Sequence, residues 1–186
     1  MKGLYLIALL PPVDLSEQID GIRRECSVKF DVYKALRPPV HITLYPPFRF
    51  EETYEKQLKY ILHQQTRGIS RFTQYIENFG HFRKEVVYIK ALKSTELSSL
   101  QQAITGVFQK ENKQDSSKEA NFHPHITIAY RDVRPDKFQR IWEEYRNREY
   151  EANFLADHFT LLKHDNIRWN PVEDFKLKGT GQSSEW

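Results

Sequence analysis

A single cysteine in 186 residues leaves Cys26 nothing to pair with, which excludes an intrachain disulfide and any multi-cysteine metal site. A lone thiol fits a reducing compartment, and a cytoplasmic protein is expected. Long apolar runs are also missing. The most apolar stretch, Leu4 to Leu10, falls far short of the roughly 20 residues that a membrane-spanning helix needs. Pro11-Pro12 closes it without a small-residue cleavage pattern, so residues 2–10 are expected to form a buried strand. Charge of one sign is scarce: 28 Lys and Arg stand against 25 Asp and Glu, a formal +3. That balance admits an anionic ligand but does not imply a long nucleic-acid track, which needs concentrated basic surface. The rest of the composition, 39% hydrophobic and 28% charged, is that of a globular chain long enough for one core or two lobes sharing one.

Within that ordinary frame one stretch occurs twice. His41-Ile42-Thr43-Leu44 and His125-Ile126-Thr127-Ile128 each read histidine, aliphatic, threonine, aliphatic. In a strand the side chains alternate, so His and Thr at i and i+2 share one face while the aliphatics turn to a core. Each copy offers an imidazole and a hydroxyl side by side.

The surrounding pattern places both copies. A helix capped by Asp14 or Ser16 carries Leu15, Ile19 and Ile22. Pro46-Pro47 is expected to stop the first motif strand. A helix follows over 51–65, ended by Gly68, then strands over 72–82 and 86–92 joined by a turn near Arg83-Lys84. The alternation of the first of these strands breaks around Gly80. Helices are expected over 95–110 and 136–147, a mobile loop over 111–121, and closing strands over 154–163 and 172–178.

The motif histidines are 125 − 41 = 84 positions apart, and Tyr5, Ala8 and Leu9 recur as Tyr88, Ala91 and Leu92 at an offset of 83. Both halves read strand, helix, motif strand, helix, strand. The expected architecture is α+β: two lobes related by a pseudo-twofold axis, antiparallel-rich sheets flanking a central cleft, and helices outside. One bilobal domain is expected over 1–178, with an internal repeat of roughly 1–80 and 84–165, then a flexible tail over 179–186.

The duplicated His-x-Thr motif resembles the signature of the two-histidine phosphoesterase superfamily, which includes 2′-5′ RNA ligase-like proteins and RNA 2′,3′-cyclic phosphodiesterases. Pro39-Val40-His41-Ile42-Thr43-Leu44 and Pro124-His125-Ile126-Thr127-Ile128-Ala129 carry the likeness. Many members follow the first motif with an aromatic-Leu-Gly segment, where this chain has Tyr45-Pro46-Pro47-Phe48. The resemblance implies a bilobal fold, metal-independent and cofactor-free action on phosphodiesters, and catalytic roles for His41, Thr43, His125 and Thr127. It also implies His125 as base and His41 as acid in hydrolysis.

The chemistry stands beside the resemblance. Opening a 2′,3′-cyclic phosphate needs a base for water and an acid for the leaving ribose oxygen, on opposite sides of phosphorus, and imidazole suits both tasks. Threonine hydroxyls can donate to the non-bridging oxygens. Tyr45, expected on the motif face, and Tyr130 are candidates for stacking on a base, and Arg49 and Arg131 for meeting a phosphate. His123 with His125 has the i, i+2 spacing of a metal pair, but its first-half counterpart is Pro39, so no metal is expected. His81, His164, His63 and His158 read as surface residues. The expected partner is an RNA terminus or small nucleotide with a cyclic phosphate, met by a monomer without a membrane. Reversible 2′-5′ ligation, or nucleotide binding without turnover, are the alternatives.

Overall fold

Tyr5 to Leu9 have no polar residue to turn towards water, and the strand they form, β1 (Lys2–Leu9), buries both faces; none of the five exceeds 2% exposure. The structure, a computed structural model, describes residues 1–109 and 122–179; the loop expected over 111–121 and all but the first residue of the expected tail lie outside the described residues. After β1 come α1 (Val13–Phe30), β2 (Ile42–Glu51), α2 (Glu55–Thr66), β3 (Phe72–Phe82) and β4 (Val86–Ala91). The chain continues with α3 (Thr95–Gln109), β5 (His125–Ala129), α4 (Pro135–Tyr145), β6 (Glu151–Ala156), β7 (His158–His164) and β8 (Trp169–Lys176). The order strand, helix, motif strand, helix, strand therefore occurs twice before a closing hairpin.

Two four-stranded antiparallel sheets result, ordered β2-β1-β7-β8 and β5-β4-β3-β6. Each motif strand is an edge paired to the strand that opens its own half. Helices cover the faces opposite the motif side chains: Ile19, Leu62, Leu100 and Ile141, one from each helix, join Ile42, Leu44, Ile126 and Ile128 in one buried cluster. The fold is α+β, with two pseudo-twofold-related lobes and helices outside.

Four local expectations are corrected. β2 does not stop at Pro46-Pro47 but runs to Glu51, since the prolines fall at an irregularity in an edge strand, where a missing N–H costs no ladder bond. The stretch expected as one strand over 154–163 breaks at Asp157 into β6 and β7, which lie in different sheets. The interruption in β3 sits at Asn78, whose φ is 49°, rather than at Gly80. Finally, Leu9 lies opposite Ile42 and Ile89 opposite Ile126, so β1 and β4 correspond at 89 − 9 = 80, not 83. An error of three flips the face: Tyr5 packs into the core, whereas Tyr88 stands on the motif side and corresponds to Ala8.

Candidate active site

β2 and β5 approach to within 8 Å between Cα atoms, which brings the two motifs to one place between the lobes. At that place the histidines are held alike. His41 Nδ1 lies 2.7 Å from the Pro39 carbonyl, and His125 Nδ1 lies 2.7 Å from the His123 carbonyl. A carbonyl oxygen only accepts, so Nδ1–H donates in both rings and each Nε2 is left with its lone pair. Thr43 and Thr127, two residues further along, are half-buried, and neither hydroxyl has a partner among the described residues. Each motif thereby offers one basic nitrogen and one hydroxyl donor.

The segment presenting His41 is anchored from α1. Arg23, only 2% exposed, donates from one guanidinium nitrogen to the Pro38 carbonyl at 3.0 Å and from the other to Asp20 at 2.8 Å. Its Nε is buried without a partner. From the other lobe, Asp132 accepts the backbone N–H groups of Tyr33 and Lys34 at 2.8 and 2.9 Å, capping the short turn Lys34–Leu36 that leads into the same segment. His125 has a different setting. Phe82 meets its ring edge-on at 4.9 Å and Tyr88 lies at 5.0 Å. Tyr88 is directly opposite both Thr127 and Gly80, and a Cβ on Gly80 would come within 2.7 Å of the Tyr88 ring. Glycine is required there by close approach.

Burial dominates the electrostatics. It pushes the His41 imidazole down to about 4; the Pro39 hydrogen bond works against this, while the nearby charges of Arg23 and His125 reinforce it. His125 is lowered too, chiefly by burial and also by His123, against the pull of its carbonyl bond. Both shifts favour the neutral imidazole.

The other residues singled out from the sequence scatter. Tyr45 does not share the motif face. Leu44 and Tyr45 crowd opposite Ile7 in an irregularity of the β1–β2 ladder, and Tyr45 stacks on Phe108 at 4.1 Å against the core. Tyr130 is exposed beyond the end of β5 with the Arg131 guanidinium 5.2 Å over its ring. Arg49 is exposed and lies opposite Leu4, further along β2. His81 sits against Trp142, and His63 and His158 contact Glu173 and Asp157. Arg23, Phe82 and Tyr88 are the residues that sequence reasoning passed over. An arginine at a core-facing position of a helix, beside Ile19, Ile22 and Cys26, was the available signal for the first. Nothing in the sequence distinguished the other two.

Residues 11–168 match the pattern of the family described as the 2′-5′ RNA ligase superfamily. A Bacillus mycoides (strain KBAB4) protein, provisionally named a phosphoesterase, is 30% identical over 178 residues, spanning 92% of this chain and 95% of its own. E. coli LigT in complex with 3′-AMP has the same fold, with a TM-score of 0.67 at 19% identity over 96% of this chain and 99% of LigT. A Thermus thermophilus protein gives 0.66 at 14% identity over 96% and 100% of the two chains.

Proposed function

The chain belongs to the 2′-5′ RNA ligase superfamily, and from that premise we propose that it is a metal-independent phosphodiesterase opening 2′,3′-cyclic phosphates of RNA ends or small nucleotides. The observation carrying this reading is the matched pair of Nδ1–carbonyl bonds, which leaves His41 and His125 each with a free Nε2 lone pair. In hydrolysis His125 removes a proton from water, whose oxygen bonds to phosphorus. The bond from phosphorus to one ribose oxygen breaks, and that oxygen takes a proton from His41. His125 has the more exposed hydrogen bond of the two, a setting that suits it to receive the proton. His41, charged only because the anionic substrate lies beside it, gives its proton up readily. Thr43 and Thr127 donate to the non-bridging oxygens as negative charge builds there.

Both halves of the site come from one chain, which supports a monomer as the working unit. The lone, buried Cys26 supports a cytoplasmic setting. No helix among the described residues is long and apolar enough to cross a membrane. Reversible 2′-5′ ligation, for which the family is named, would put an RNA 5′-hydroxyl in the place of water: its oxygen bonds to phosphorus, the ribose 3′-oxygen leaves with a proton, and the acid and base roles exchange only in the cleavage direction.

The test is release of nucleoside phosphate from 2′,3′-cyclic nucleotides with EDTA present, comparing wild type with His41→Ala and His125→Ala. Turnover that survives EDTA and fails in both variants is the expected result. Unchanged turnover in the variants would sink the assignment, and activity restored only by added metal would favour the His123–His125 pair instead. Binding with no turnover of any cyclic phosphate would favour a nucleotide-binding module.

A further inference from the structure

The register of the first sheet sets out two rungs on its motif-bearing face. Thr43, Ala8, Thr160 and Asp174 lie opposite one another across β2, β1, β7 and β8. Four residues back along β1, Arg49, Leu4, His164 and Trp169 form another rung on the same strands. Leu4 and Ala8 share a face by alternation, and at about 3.3 Å per residue the rungs are about 13 Å apart. The floor between them is Leu6 and Leu162, with Trp169 packed at its margin.

This second rung has the chemistry of a nucleic-acid contact. Arg49 is exposed and makes no ion pair among the described residues. Trp169 is half-buried, with the His164 ring edge-on at 5.0 Å. A cation for a backbone phosphate and an indole for a base are what single-stranded nucleic acid uses. At that spacing Arg49 serves a phosphate other than the one held by Thr43. A cyclic mononucleotide has no second phosphate to offer. Resting on the hydrolytic reading above, we propose that Arg49 and Trp169 bind the nucleotides preceding the reacting terminus, so that the preferred substrate is a short single-stranded RNA end.

The test measures binding, which needs no turnover. A short fluorescein-labelled RNA ending in a phosphate is titrated with wild type, Arg49→Gln and Trp169→Leu, and a nucleoside monophosphate is used as competitor. Leucine keeps an apolar cover over Leu6 and Leu162, and thermal unfolding confirms that each variant folds. Each substitution is expected to weaken RNA binding roughly tenfold, and the ratio of RNA to mononucleotide affinity should fall with it. Arg49→Gln alone should also flatten the log–log salt dependence, by about 0.7. Equal weakening of RNA and mononucleotide, or unchanged RNA binding, would overturn the proposal. Failure of the hydrolytic reading shows separately, as rung-dependent RNA binding without turnover.

Discussion

His41 and His125 make the same hydrogen bond from opposite lobes: each Nδ1–H donates to the carbonyl two residues earlier, at 2.7 Å in both. The bond is local, so each motif brings its own orienting acceptor and needs no carboxylate partner. It settles the tautomer in the neutral state and leaves Nε2 as the atom that can react. The likeness ends at the shell around each ring, where a buried cation approaches one and aromatic rings flank the other.

In the proposed hydrolysis the two imidazoles act in the same step, so removing either should cost about 10²- to 10⁴-fold in kcat, and removing both little more than the worse single variant. Steady-state kinetics on His41→Ala, His125→Ala and the double variant check this. Independent, multiplying losses would show that the rings do not serve one transition state. Thr43→Val and Thr127→Val should each cost about 10²-fold, mostly in kcat.

The protein should lose stability in mild acid through this pair. His41 has a folded-state pKa of about 4, below its ordinary 6.5, so the unfolded chain takes up the proton first as pH falls. The stabilisation is fully present above about pH 6.5 and is lost towards pH 4, up to about 3 kcal/mol if the whole shift is expressed. His125 acts in the same direction. Urea midpoints should fall through that window, and His41→Asn should flatten the fall. Inorganic phosphate at the site should raise the His41 pKa, which NMR of the imidazole reads directly. A wild-type slope retained in His41→Asn would mean that other groups carry the acid sensitivity.

Arg23 and Asp20 form an unequal pair, with side chains 3% and 34% exposed. Losing the aspartate strands a buried guanidinium whose Nε already lacks a partner; losing the arginine frees a carboxylate that water can reach. Asp20→Ala should therefore cost more, about 3 kcal/mol, than Arg23→Met, about 1 to 2 kcal/mol. Arg23→Met should also raise the His41 pKa by removing a nearby cation and loosening the Pro38 carbonyl. Denaturant titrations in the reverse order would mean that the guanidinium is not held as a buried charge.

The motifs and the order of elements were legible because local pattern determines them: a His-x-Thr strand has one chemical face and one apolar face whatever lies around it. Facing beyond the motif was not. Tyr45 follows the alternation on paper, but the ladder irregularity beside it turns the ring to Phe108. Such irregularities arise from pairing between strands, which one strand's sequence does not record. The break at Asp157 was hidden for a similar reason, since β6 and β7 are both extended and apolar, and only their partners differ. Tyr88 looked like a repeat of Tyr5 until the register moved the correspondence by three residues and to the other face.

That register makes Gly80 the most restrictive small residue near the candidate site. The ring of Tyr88 lies where a Gly80 side chain would start, at 2.7 Å, and Phe82 backs the ring at 4.4 Å, so it has little room to retreat. Gly80→Ala should cost about 1 to 3 kcal/mol by overpacking and should push Tyr88 against His125, 5.0 Å away. Activity should fall with it. Replacing Tyr88 by Leu in the Gly80→Ala background should recover stability, so that the two substitutions together cost less than their sum. Stability measured for both singles and the double decides this, because additive losses would mean that the Gly80–Tyr88 contact is not what the alanine disturbs.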